Sequence, residues 1–154
     1  MFDTIVWACD GRAEDRRDLA FVRRLCQSRR CRLWIVHVAR ATAASDPPFA
    51  LAGGADPAIE WLKTQTRQLR ADGIDASLHV VRDVLGAPVA AIVQLVRDVD
   101  ADLLVVGGHR RERQRRARPG ATALGLLATA GCAALWLGAQ LGDAPDPSPP
   151  APRC

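Results

Sequence analysis

Residues 88–108 read PVAAIVQLVRDVDADLLVVGG. The first half places Val89, Ile92, Val93 and Val96 at i, i+3, i+4 and i+7, which is one face of an amphipathic helix. Pro88 suits the first turn of that helix, where its missing N–H is no loss. After Asp100-Ala101-Asp102 the periodicity gives way to Leu103–Val106, an unbroken apolar run. A strand covered on both faces reads this way, whereas a strand with one wet face alternates. A helix leading into a doubly covered strand is a unit of a parallel α/β sheet.

The same unit recurs on the amino-terminal side. Residues 3–9, DTIVWAC, predict a first strand that ends at the turn Asp10-Gly11. Residues 13–30 predict a helix with Leu19, Val22, Leu25 and Cys26 on one face and Arg16, Arg17, Arg23 and Arg24 off it. RLWIVHV at 32–38 predicts the second strand. Residues 40–56 are rich in Ala, Ser, Asp, Pro and Gly and predict a loop. Pro57 opens a helix over 57–71, with Ile59, Leu62 and Leu69 on one side and Gly73 as its stop. DASLHVV at 75–81 is the third strand. Beyond the opening stretch, a short helix near 121–130 and the strand CAALWLG at 132–138 complete the pattern. The reading is one α/β domain over residues 1–140 with right-handed crossovers. Residues 143–154, DAPDPSPPAPRC, hold five prolines, so 141–154 is expected to be a disordered Pro-rich tail.

Composition narrows the function. The chain has 154 residues and a formal charge of +4. Segment 110–118, RRERQRRAR, carries +5, so one loop is basic and the rest is not. Such a cluster suits nucleic acid or another polyanion by phosphate contact. No aromatic residue is interleaved to stack bases, which argues against nucleic acid. The five cysteines are odd in number and irregular in spacing, and Cys26 and Cys31 lack a second pair to complete a metal site. Reduced thiols and the absence of a secretory signal pattern lead to the expectation of a cytoplasmic protein. Residues 120–142 are uncharged for 23 positions and follow the arginines, as a membrane helix would. Their five Gly and seven Ala supply little transfer energy, so a buried helix followed by a buried strand is expected, with no membrane contact.

Four local motifs in this order resemble the universal stress protein family. They are the first strand ending in Asp10-Gly11, the second ending in His37-Val38, Gly86-Ala87-Pro88 opening a helix, and Ala101-Asp102-Leu103-Leu104-Val105-Val106-Gly107. Gly131-Cys132 before the last strand is similar to the family's Ala-Pro-Cys-Pro-Val stretch. The resemblance covers residues 2–138. It implies a three-layer α/β/α domain of the adenine-nucleotide alpha hydrolase type, with a five-stranded parallel sheet of order 3-2-1-4-5. It also implies a ligand at the carboxyl ends of strands one and four, where open α/β sheets reverse their strand order.

ATP-binding members of that family carry Gly-x-x-Gly, nine residues, then Gly followed by Ser or Thr. Here the window is Gly107-Gly108-His109-Arg110, nine residues, then Gly120-Ala121. The spacing is kept. Arg110 replaces a glycine, and Ala121 replaces the hydroxyl residue. A side chain forced into the left-handed region costs roughly 1–2 kcal/mol. A lost hydroxyl donor to a charged acceptor costs about 1.5–3 kcal/mol. Against this stand the arginines, good phosphate partners, and Thr122, one residue late for the missing hydroxyl. The cofactor-site expectation is therefore Asp10, Val38, Gly107, His109, Arg110, Gly120 and Thr122, with ATP as ligand. In relatives the Asp meets the adenosine part, and the position of Val38 offers backbone groups to the base. Relatives place Ser after Asp-Gly, whereas this chain has Arg12.

His37 and His79 fall in strands and read as packing or edge residues, and His109 as part of the loop. Trp7, Trp34, Trp61 and Trp136 read as core or interface anchors. The resemblance implies a homodimer through the fifth strand, with further protein partners. No catalytic or metal constellation is legible. The expectation is a non-enzymatic stress-response protein with a degenerate ATP loop, and its alternative is a nucleotide-binding switch.

Overall fold

A computed structural model describes residues 2–11, 15–27, 30–40, 56–83, 87–107 and 119–138, apart from the side chains of Arg40 and Asp83. Nine elements alternate among the described residues: β1 Thr4–Cys9, α1 Asp15–Gln27, β2 Arg32–Arg40, α2 Pro57–Ala71, β3 Asp75–Asp83, α3 Pro88–Asp98, β4 Leu103–Gly107, α4 Ala121–Thr129 and β5 Ala133–Leu137. All strand pairs are parallel, and the order is β3-β2-β1-β4-β5. The expected architecture and order are both present. Gly86, residues 109–118, the tail 141–154 and Cys154 lie outside the described residues.

The apolar runs work because side chains alternate across the sheet. Ile5, Trp7, Leu33, Ile35, Leu103 and Val105 face α1 and α2, where they meet Val22, Cys26, Leu62 and Leu69. Val6, Ala8, Val36, Leu104 and Val106 face α3 and α4, against Ile92, Val93, Val96, Ala123 and Leu126. Trp7 is 0% exposed, at the centre of the first layer. Each central strand thus needs apolar residues on both sides.

Boundaries differ where tertiary pairing overrides composition. Strands β2 and β3 run two residues past the apolar segments because Ala39 pairs with Arg82 and Arg40 with Asp83. Helix α1 is described over Asp15–Gln27, and Arg30 is in a turn; residues 13, 14, 28 and 29 of the expected helix lie outside the described residues. Helix α2 has the expected limits. Asp56 caps it, accepting from the Ala58 N–H at 2.9 Å, and Gly73 ends it with φ +81°.

The uncharged stretch from Gly120 is a helix, a turn at Gly131 with φ +73° and a strand. Among the described residues, no helix is long and apolar enough to cross a membrane. At the amino edge of the sheet, Asp102 ties β4 to β1. Its N–H donates to the Thr4 carbonyl at 2.9 Å, and its carboxylate accepts from the N–H groups of Asp3 and Thr4 at 2.8 and 2.9 Å.

Candidate functional site

Strand order reverses between β1 and β4, and the helices that follow them, α1 and α4, pack on opposite faces of the sheet, the arrangement that in open α/β sheets places a crevice at the carboxyl ends of the two strands. Asp10 follows β1 directly and is exposed. Gly107 is the last residue of β4, one position past the Ala8–Val106 pair. Val38 lies on the other side of β1, one position past the Cys9–His37 pair. The Arg32 N–H donates to the Asp3 carbonyl at 2.8 Å. Alternate residues of a parallel strand address the same neighbour, so Val38 also turns its backbone polar groups toward β1, at the level where β1 has ended. Asp10, Val38 and Gly107 are therefore gathered at one edge, as the sequence suggested.

Gly120 and Thr122 open α4. Gly120 is the N-cap with φ −70° and ψ 171°, and among the described residues no side chain caps this helix end. A Cβ on Gly120 would meet no described residue within 4 Å. The conformational argument for glycine does not apply here, nor at Gly107, which is not among the described glycines of positive φ. What glycine leaves at Gly120 is room beside the first-turn N–H groups, which have no partner within the helix itself. Thr122 is half-buried in the first turn. His109 and Arg110 lie outside the described residues, as does the rest of the arginine cluster, so the polyanion reading of 110–118 has no structural counterpart.

Two features were not anticipated. The first is a pair of carboxylates at the start of α1. A Cβ on Gly107 would lie 3.0 Å from Asp18 Oδ2 and 3.2 Å from Asp15 Oδ1. Asp15 is 5% exposed, an ionisable side chain enclosed by the fold. The thiol of Cys9 registers the same groups. Burial pushes its pKa up, and the charges of Asp15, Asp10 and Asp18 push it further. The sequence did hold a signal, since Asp15 is four residues before Leu19 and Asp18 four before Val22, on the buried stripe of α1.

The second feature is the setting of His37, which is 5% exposed. Its Nδ1 lies 3.1 Å from the Cys9 carbonyl oxygen. A carbonyl only accepts, so Nδ1 carries the proton. Its Nε2 lies 3.8 Å from Asp56 Oδ2. Asp56, which also caps α2, thus brings the first turn of that helix beside the end of β2. Gly11 closes the same corner. It has φ +71°, and a Cβ there would come within 2.5 Å of the Ala58 Cβ. The packing role read for His37 is thus specific, whereas His79 is exposed on the edge strand β3. Cys26 and Cys31 are free, and no group of three or more metal-ligating side chains occurs among the described residues.

A family model described as "Universal stress protein family" matches residues 1–136. Among solved structures, the fold is similar to a universal stress protein from Archaeoglobus fulgidus in complex with dAMP. That pair shares 18% identity over 88% of this chain and 97% of the other, with a TM-score of 0.60. It is similar to a family protein from Arabidopsis thaliana with AMP bound, at 17% identity over 86% and 89% of the two chains, with a TM-score of 0.61. The universal stress protein of Lactobacillus plantarum matches at 15% identity over 86% and 95%, with a TM-score of 0.67. At these identities the likeness establishes the fold. A search of curated proteins gives no match.

Proposed function

The chain belongs to the universal stress protein family, and we propose that it acts without catalysis, pairing with a second copy of itself along β5 and presenting the joined sheet to protein partners in a stress response. The contrast between the two sheet edges carries this reading. Edge strand β3 reads DASLHVVRD and bears charge at both ends, with exposed Asp75, His79 and Arg82. Charged and polar groups of this kind deter pairing with another chain. Edge strand β5 reads AALWL, has no charge and is at most half-buried along its length. Its Trp136 packs with the α3–α4 layer and folds close over Gly138, where an added Cβ would lie 2.8 Å from the indole ring. An uncharged apolar edge next to an aromatic anchor suits a self-complementary twofold contact.

Sedimentation equilibrium tests this reading. The wild-type chain is expected at the dimer mass, and Ala133→Lys, a charge on the exposed first residue of β5, at the monomer mass. A wild-type monomer at high micromolar concentration would remove the proposal.

A second reading is favoured by the meeting of Asp10, Val38 and Gly107 at the reversal of strand order. In it, the crevice holds an adenine nucleoside or nucleotide, as the Archaeoglobus and Arabidopsis relatives do with dAMP and AMP. Val38 would offer backbone groups to the base and Asp10 would meet the ribose, while the start of α4 would face the phosphate end. ATP itself is the more demanding ligand, because Ala121 supplies no hydroxyl. Gly120→Val checks this cleanly. No described residue lies within 4 Å of the new Cβ, so the fold is expected to stand while nucleotide affinity drops. Unchanged affinity would place the ligand elsewhere.

A further inference from the structure

We propose that Cys26 and Cys31 are a dithiol modification site, which a low-molecular-weight disulfide oxidises to an internal disulfide that staples the last turn of α1 to the start of β2. This stands apart from both readings above. The pair lies at the amino edge of the sheet, next to the Thr4–Arg32 pairing, and not at the crevice.

The observations are geometric. Cys26 is next to the last residue of α1, and Cys31 directly precedes β2. Both are free thiols, 4% and 5% exposed, in the same apolar cluster beneath α1 and α2. Their side chains are in hydrogen-bonding contact with each other. The other described cysteines are out of reach. Cys9 is paired with His37, far along β2 from Cys31, which places it about 20 Å away at the rise of a strand. Cys132 precedes β5, which β1 and β4 separate from β2, and it packs in the opposite layer. A disulfide needs its sulfurs to close to about 2.05 Å and its Cβ atoms to lie about 3.5–4.5 Å apart. Two thiols already in contact, at the ends of adjoining elements, need little backbone movement to meet that.

The reaction balances with a disulfide of the glutathione type as oxidant. One thiol of the pair loses its proton to solvent, and its thiolate attacks a sulfur of the oxidant, breaking that S–S bond and releasing one small thiolate. The second protein sulfur, deprotonated in turn, attacks the mixed disulfide and releases the other small thiolate. Both leaving groups take up the protons. Two protein thiols are thus oxidised by two electrons, and one small disulfide is reduced to two thiols. Only a thiolate attacks. Burial pushes the Cys26 thiol up, and the hydrogen bond and charge of Cys31 push it further. The closed fold is therefore slow to react, and opening of the corner between α1 and β2 sets the rate. The partly exposed Arg23–Asp72 ion pair joins α1 to the end of α2 near this corner, and pairs of that kind hold weakly. Once formed, the bond is shielded from small thiols by the same packing.

The test is incubation of the full wild-type chain in glutathione buffers of rising disulfide content, followed by alkylation in denaturant and tryptic mass mapping. Cleavage after Arg24, Arg29, Arg30 and Arg32 leaves residues 25–29 and 31–32 as separate peptides, so a link between them reports this bond alone. The linked peptides are expected as the main oxidised product, with the thermal midpoint of the oxidised chain raised by about 5 °C. The folded chain is expected to oxidise about tenfold or more slowly than the chain in denaturing urea. Cys26→Ala and Cys31→Ala should each remove the linked peptides and the rise in midpoint. Absence of the link at every glutathione ratio would overturn the inference. So would a predominance of links to Cys9, Cys132 or Cys154, an oxidised chain that melts no higher than the reduced one, or a rise in midpoint that persists in either variant. Equal rates in the folded and unfolded chains would overturn the gating by the fold. None of these results touches the dimer or nucleotide readings, which their own experiments decide.

Discussion

Helices α1 and α4 both begin at the carboxyl edge of the sheet, on opposite faces, and they begin in opposite ways. Helix α1 starts with Asp15 and Asp18 in its first turn, Asp15 buried and both against Gly107. Its positive end is matched by its own carboxylates. Helix α4 starts with Gly120, has no acidic residue in its first turn, and among the described residues has no side-chain cap and no atom within 4 Å of where a Cβ on Gly120 would stand. The corner leading into α1 is closed as well, with Gly11 against Ala58 and His37 beside Asp56. Among the described residues, the α1 side is therefore closed and carries two carboxylates, whereas the first turn of α4 carries none.

The comparison breaks most visibly at the glycines. Gly11→Ala is expected to destabilise the fold by about 2–4 kcal/mol, from left-handed strain and an overpacked contact with Ala58. That should lower the thermal midpoint by roughly 5–15 °C. A change under about 1 kcal/mol would show that the corner yields, and that the α1 side is not closed. Gly120→Asp sharpens the same comparison by giving α4 the kind of start that α1 has. The N-cap backbone is already extended and unobstructed, so a gain of about 0.5–1 kcal/mol is expected from capping and the helix dipole. Nucleotide affinity should fall in the same variant. Stability rising while affinity falls would separate a function-related vacancy from a simple packing defect.

How far these differences could be read from the sequence depends on whether their cause is local. Val89, Ile92, Val93 and Val96 announce α3 because periodicity is a property of neighbouring residues, and Leu103–Val106 announces a covered strand for the same reason. The extension of β2 and β3 to Arg40 and Asp83 was not legible, because it comes from partners 43 residues apart pairing across the sheet. Asp15 and Asp18 sit on the periodic stripe of α1, yet charge there normally marks the solvent face. Only the close approach of Gly107 shows what they line. The His37–Asp56 contact spans a segment with no periodic pattern, so nothing in the sequence could couple the two. Gly107 and Gly120 stood out in the sequence as glycines whose backbone freedom a phosphate loop would use, and the structure gives them a different character. Neither adopts the left-handed backbone, and their value is the side chain they lack.

The smallest expected effect concerns Asp102, which does at the amino edge what no described side chain does at the start of α4: its carboxylate takes up two backbone N–H groups. Hydrogen bonds from Thr4 first, and Asp3 next, hold its pKa below the ordinary carboxylate value. A carboxyl lowered in the folded state binds its proton less readily there than in the unfolded chain. Its contribution is therefore complete above the ordinary carboxylate range and is lost as pH falls through the lower folded value. Asp102→Ala should accordingly be less stable than wild type at neutral pH, with the two stability curves converging in acid. The gap should be small and salt-sensitive, because the group is exposed to solvent. Urea unfolding at a series of pH values measures it. A gap that stays constant into acid would mean that the side chain acts by packing and not by charge, and the contrast between capped and bare N–H groups across the sheet would lose its control.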